Sequence, residues 1–253
     1  MLIDTHCHLN DPLFAESFFD VIARAEASGV GSFIVPAYDS ESLERTKELA
    51  ALMPGVVYPA YGVHPWFIDG NVDYDRILSF LKNGNAVAVG EVGLDFSPQC
   101  PPQNAQVDAL ERQLTLACDL ELPLLIHCRK AFETLYAILE QCRGKVKGVI
   151  HSFSGSQEMM TRFLNLGFYV SFSGSVTRRT AKRYHRNGKA VPLDRFLLET
   201  DAPSIATETT VASEVEPRHT VEVAQKMAEL KDVSFEEICE ASTRNAKQLF
   251  RLA

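Results

Sequence analysis

The sequence predicts an α/β protein built as a closed (β/α)8 TIM barrel with one extra C-terminal helix. Three observations lead there. Short apolar or β-branched runs alternate eight times with longer segments of helical period, and no Gly/Ser-rich linker or low-complexity tract breaks that alternation between residues 1 and 253. Imidazoles and carboxylates stand repeatedly where the short runs end. Eight such units in series favour a parallel sheet closed on itself over an open doubly wound sheet, and one domain over two.

The elements follow in order. A strand is expected near 2–6, a helix at 15–28, a strand at 32–37 and a helix at 40–52. Val57 to Val63 reads as the third strand, followed by a helix at 72–82; Ala86 to Gly90 is the fourth, followed after a proline-rich loop by a helix at 104–119. Leu124–Ile126 precedes a helix at 131–142, and Gly148–Ile150 precedes one at 156–166. Phe168–Phe172 runs into Gly174 and a basic loop, and Arg195–Leu198 is the eighth strand. Two helices close the chain at about 217–230 and 234–251, the second opened by Ser234 and Glu237 at capping-box spacing.

Composition narrows the function. The apolar stretches fall far short of the ~20 residues needed to cross a bilayer, and the chain enters a strand pattern without the basic start of an export signal, so a cytoplasmic protein is expected. Six cysteines without a C-x-x-C pair fit reduced thiols rather than a disulfide scaffold. A net charge of -8 argues against a protein that coats nucleic acid through bulk electrostatics. Positive charge is instead local: Arg178, Arg179, Lys182, Arg183, Arg186 and Lys189 fall in one acid-free run.

The chemistry lies in six side chains. His6 and His8 end the first strand, Glu91 the fourth, His127 the fifth, His151 the sixth and Asp201 the eighth. In a barrel all these ends share one rim, where active sites lie. Strand alternation throws His6 and His8 to one side and Cys7 to the other; Cys7 and Cys128 are therefore excluded as ligands. Buried charges need partners, and divalent cations are good ones. Nitrogen and oxygen donors without thiolate suit Zn, Mn, Fe or Co and accommodate Mg less naturally; the cations carried forward are Zn, Mn or Mg. Six ligands exceed one tetrahedral ion, whereas two divalent metal ions about 3.5 to 4 Å apart with a shared carboxylate use them all. Glu91 is the expected bridge. Asp201 is expected to bind the first ion and take the proton of the attacking water.

The remaining rim residues suggest a polyanionic substrate. His64 is assigned to substrate contact or, equally, to a structural role, and Arg129 to a bidentate clamp on phosphate or, equally, to an ion pair with a neighbouring acid. Arg178, Arg179 and Arg183 would track a nucleic-acid backbone, unless the basic run is only a solvated face. Asp95 is expected to orient a ligand histidine or cap the following turn rather than bind metal. Trp66 either stacks a base or covers the rim as a plug.

The strings Asp4-Thr-His-Cys-His8, Gly90-Glu-Val-Gly-Leu-Asp95, Pro123-Leu-Leu-Ile-His-Cys-Arg129, His151-Ser-Phe-Ser-Gly155 and Glu199-Thr-Asp-Ala-Pro203, with Gly62-Val-His-Pro65 and Asn245-Ala-Lys-Gln-Leu-Phe250, resemble the TatD family of metal-dependent deoxyribonucleases, within the amidohydrolase superfamily. The resemblance implies a first metal on His6, His8 and Asp201, a second on His127 and His151, and Glu91 shared. It also implies trimming of single-stranded DNA, often from the 3′ end. The chain departs from the family where Arg-Asn-Glu-Pro is common and Glu214-Val-Glu-Pro217 stands here, which alters a loop expected to face substrate. A phosphodiesterase acting on single-stranded DNA is the leading reading. Its rivals are a small-molecule ester, lactone or amide hydrolase of the same superfamily, and a non-catalytic nucleic-acid binding protein. No membrane or obligate protein partner is expected.

Overall fold

The computed structural model describes residues 1–252. It contains β1 (Leu2–Asp4), α1 (Phe18–Ala27), β2 (Val30–Pro36), α2 (Ser40–Leu52), β3 (Val57–Tyr61), α3 (Tyr74–Asn83), β4 (Ala88–Asp95) and α4 (Gln103–Asp119). The second half continues with β5 (Leu124–Arg129), α5 (Phe132–Gln141), β6 (Gly148–Ile150), α6 (Gln157–Asn165), β7 (Tyr169–Phe172), α7 (Lys182–Ala190), β8 (Phe196–Leu198), α8 (Thr220–Lys231) and α9 (Phe235–Phe250). The eight strands form one sheet in sequence order, and each paired neighbour is parallel. This is the (β/α)8 barrel with an added C-terminal helix.

Polar bonds draw β8 and β1 together. The Thr5 backbone N–H and hydroxyl both donate to the Leu198 carbonyl, at 3.1 and 3.0 Å. Asp4, fully buried, accepts from the Thr200 N–H at 3.0 Å and the Thr200 hydroxyl at 2.5 Å. The same carboxylate accepts from the His6 N–H at 3.2 Å, so the seam also fixes the backbone that carries the first two imidazoles.

Two apolar layers support the rim. The barrel interior is filled by one residue from each strand: Ile3, Ile34, Ala60, Ala88, Leu125, Val149, Tyr169 and Leu197. Ala246, Leu249 and Phe250 of α9 pack onto the same cluster. That helix is anchored at the start of β8, where the Asn245 amide donates to the Leu193 and Phe196 carbonyls. The extra helix thus closes the mouth opposite the ligands. The larger layer lies between strands and outer helices, as the helical apolar period requires. Ser234 caps α9 by accepting from the Glu237 N–H at 3.0 Å, as its spacing predicts.

Three expectations change in detail. The fourth and fifth strands run on to Asp95 and Arg129, so Glu91 and His127 lie within strands rather than at their ends. The first strand stops at Asp4, leaving His6 and His8 in an irregular segment. Most of the basic run is helical: α7 carries Lys182, Arg183, Arg186 and Lys189 exposed, and packs Gly188 against Met227 and Leu230 of α8. Its few buried side chains are small or polar, so charge hides the helical period. All six cysteines are free, and no helix among the described residues is long and apolar enough to cross a membrane.

Gly93 sets the spacing of β4 against β5. Its φ is 145°, and a Cβ there would fall on the His127 carbonyl. Gly93→Ala is therefore expected to cost about 3 kcal/mol or more, lowering the Tm of the metal-free protein by about 6 to 12 °C. A fall of under about 2 °C would show that this pair of strands can separate freely.

Candidate active site

Around the C-terminal mouth, imidazoles and carboxylates converge from five strands or the segments that follow them. Cys7 is fully buried and its thiol approaches the Ile34 carbonyl at 3.9 Å, so it faces away from its neighbours. His6 and His8 turn inward together, with their Nε2 atoms 3.3 Å apart. Those two nitrogens lie 3.2 and 3.4 Å from Glu91 Oε2, and 3.7 and 3.3 Å from Asp201 Oδ1. A second set uses the other carboxylate oxygen. His127 Nδ1 and His151 Nε2 lie 3.2 and 3.0 Å from Glu91 Oε1, and 3.2 Å from each other. His6 and His151 stack at 4.1 Å between ring centroids, locking the two sets together.

These separations fit bound cations. Donors about 2.0–2.1 Å from a tetrahedral ion stand about 3.4 Å apart, and the measured edges bracket that figure. The Nδ1 atoms of His6 and His8 are buried without a hydrogen-bond partner, while their Nε2 atoms crowd carboxylate oxygens and each other. Lone pairs held this close need a proton or a metal ion between them. All five strands therefore contribute donors suited to one or more divalent cations.

The electrostatics agree. Burial pushes the Glu91 carboxyl up, but the cluster of imidazoles around it, His6 and His151 included, holds it well below the usual carboxylate range. Asp201 is likewise raised by burial and brought below its ordinary value by His8 and the other imidazoles. Both carboxylates are thus ionised, the form that binds metal. Burial disfavours a charged His8, yet Asp201 and Glu91 push its pKa up to about 10. His151 and His127 are also raised against the effect of burial, His151 by Glu91 and Glu199, His127 by Asp95 and Glu91.

Outer carboxylates orient the inner imidazoles. Asp95 Oδ2 is 3.3 Å from His127 Nε2, leaving Nδ1 for the centre, as expected of Asp95. Glu199 does the same for His151, at 3.4 Å from Nδ1, and accepts from the Ser152 N–H at 2.7 Å and the Ser171 hydroxyl at 2.6 Å. Sequence reasoning gave Glu199 no role. Its signal was a carboxylate directly following the apolar run Phe196–Leu198, which burial obliges to find partners. Ser152 and Asp201 have φ of 43° and 54°, conformations unusual outside glycine that bend the chain over the rim.

The centre opens into a cleft of about 450 Å³ lined by Trp66, Arg129, Arg178 and Tyr184 as well as by the ligand candidates. Arg129 is exposed and makes no ion pair among the described residues. Arg178 donates to the Ala206 carbonyl at 3.2 Å. Arg179 and Arg183 are exposed and do not line the cleft; Arg179 pairs with Glu208 at 3.2 Å. Tyr184 is the residue of α7 that lines the cleft, while the exposed Lys182, Arg183, Arg186 and Lys189 of that helix do not. His64, assigned to substrate contact, is 7% exposed, with Nε2 3.4 Å from Glu91 Oε1. Burial lowers its pKa to about 3, so it stays neutral. Glu214 is exposed and Val215 fully buried, and neither lines the cleft. Glu216 instead holds Arg24 of α1 at 2.7 Å.

A barrel with this donor set at its mouth defines a metal-dependent hydrolase. The family model described as TatD related DNase matches residues 3–251, and the chain belongs to that family. It is 36% identical to the metal-dependent hydrolase YabD of Bacillus subtilis, covering 100% of both chains. It is 32% identical to human deoxyribonuclease TATDN3, over 98% of this chain and 94% of the other. The crystal structure of YjjV, a TatD homologue from Escherichia coli, superposes with a TM-score of 0.92 at 31% identity, covering 100% of this chain and 98% of that one.

Metal uptake should release protons. In the metal-free protein His8 keeps its proton up to about pH 10, whereas a ligand imidazole must be neutral. Affinity should therefore rise with pH through the neutral range, about tenfold per unit for each proton displaced. Calorimetric titration of the metal-free protein with Zn or Mn at pH 7.5, in two buffers of different ionisation enthalpy, should show release of at least one proton. Identical apparent enthalpies in both buffers would contradict this charge distribution.

Proposed function

We propose that this protein hydrolyses phosphodiester bonds of single-stranded DNA, working inward from an end, with two divalent cations held on either side of Glu91. The observation that carries this reading is the division of Glu91: Oε2 meets His6 and His8, while Oε1 meets His127 and His151. A carboxylate split between two donor sets is the arrangement that in-line displacement at phosphorus uses in two-metal sites. His6, His8 and Asp201 would hold one cation, His127 and His151 the other. Bound cations would supply Lewis acidity at phosphorus and lower the pKa of a nucleophilic water from 15.7 to about 7.

The chain's own groups do the rest. Asp201 is ionised, borders the cleft and takes the proton from the attacking water, then returns it toward the leaving oxygen. Arg129 has a guanidinium free to pair with a phosphate, and Arg178 adds a second positive charge across the cleft. His64, neutral and accepting from the Trp66 N–H through Nδ1 at 3.1 Å, carries its proton on Nε2, which lies 3.4 Å from Glu91 Oε1. Of the two roles expected from sequence it would then take the structural one, steadying the shared carboxylate. An acidic protein with two cleft arginines suits a local grip on one strand better than sequence-independent coating of a duplex. The same site would also admit a small ester, and human TATDN3 carries the name deoxyribonuclease, which favours DNA.

The test is turnover of 5′-labelled single-stranded and duplex oligonucleotides by metal-loaded protein. Asp201→Asn should lower kcat by about 10² to 10⁴-fold, the range for loss of a general base. Arg129→Ala should chiefly raise KM for DNA. No cleavage of either substrate with Zn, Mn or Mg, alongside hydrolysis of a small ester or lactone, would transfer the site to the small-molecule reading.

A further inference from the structure

Trp66 is the chain's single tryptophan and one of its few large apolar side chains left in solvent, at 49% exposed. It lines the same cleft as Glu91, His127, Arg129 and Arg178. A rim plug would be buried by neighbouring chain. This indole is instead held at its polar edge with much of its surface bare. Its Nε1–H donates to Asp95 Oδ2 at 2.7 Å, and that oxygen lies 3.3 Å from His127 Nε2. Asp95 is fully buried and takes a further bond from the Ser97 N–H at 2.9 Å, so the anchor is rigid. The ring is also set edge-on to His64, with centroids 5.3 Å apart and planes 84° to one another. The indole nitrogen is thus separated from a ligand imidazole by a single carboxylate oxygen.

We propose that Trp66 is the wall on which a nucleobase next to the scissile phosphate stacks, and that Asp95 sets the distance between that base and the reacting centre. The inference rests on the DNA reading above and deepens it. A fixed aromatic beside two arginines is how single strands are gripped without sequence preference, since every base has a π-face and every nucleotide a phosphate. A base already paired and stacked in a duplex cannot lie flat on the indole without first leaving its neighbours. Preference for an unpaired base is therefore a consequence of the geometry. Asp95 acts as a positioning residue for both the platform and His127.

The single tryptophan gives a direct readout. Metal-loaded wild-type protein is mixed with a phosphorothioate oligothymidylate and, separately, with an abasic oligomer of equal length and charge. The base-bearing strand should quench indole fluorescence and the abasic strand should not. In steady-state assays on ordinary DNA, Trp66→Ala should raise KM about tenfold or more for a strand with bases, and markedly less for one abasic at the nucleotide beside the cut. Trp66→Phe, which keeps a ring but loses the indole N–H, should recover much of that loss. Equal quenching by both strands, or an equal KM penalty on both in Trp66→Ala while wild type cleaves DNA, would overturn the stacking role and leave the hydrolysis reading standing. Failure of the wild type to cleave DNA would remove both.

Discussion

The site depends on burying one carboxylate among imidazoles. Glu91 is 3% exposed, and both of its oxygens are within 3.4 Å of ring nitrogens. A charge so placed is costly unless compensated on every side. The barrel makes compensation possible because it brings Glu91 on β4 within reach of residues carried by β1, β3, β5, β6 and β8. The seam bonds of Asp4 and Thr200, the close approach at Gly93 and the packing of α9 below are the conditions under which this cluster holds its shape.

The cluster is layered. Inner nitrogens face Glu91 and Asp201, while the outer nitrogens of His127 and His151 face Asp95 and Glu199. Those outer carboxylates fix which nitrogen points inward and raise the basicity of the rings. Asp95 extends the same logic to Trp66 at the cleft surface. Hydrogen bonds thus run from the half-exposed indole through Asp95 to His127 at the centre. For the proposed DNA substrate, that support would limit how far the strand and the reacting atoms can drift apart.

Much of this was legible in the sequence. The eight alternations located every strand, and the six ligand candidates within or just beyond those strands converge as barrel topology requires. The inward turn of His6 and His8, with Cys7 opposite, was expected from alternation, yet it occurs beyond the end of β1, held by the bond from the His6 N–H to Asp4. What the sequence concealed was polar and long-range. Glu199 and Asp4 look like surface carboxylates until the fold buries them against partners nearly fifty and two hundred residues away along the chain. The basic run resembled a loop because α7 buries Asn187 and Gly188 rather than large apolar residues, leaving no hydrophobic stripe to read. His64 was visible as a rim residue, but its tautomer, and with it the direction of its proton, follows from the Trp66 N–H bond that only the turn after β3 creates.

The central claim is that Glu91 divides its two oxygens between two cations. Anomalous diffraction from crystals of the protein loaded with Mn or Zn tests it most directly. The account predicts two peaks about 3.5 to 4 Å apart, one against Oε2 with His6, His8 and Asp201, the other against Oε1 with His127 and His151. A single peak at full loading, or two peaks that do not share Glu91, would contradict it.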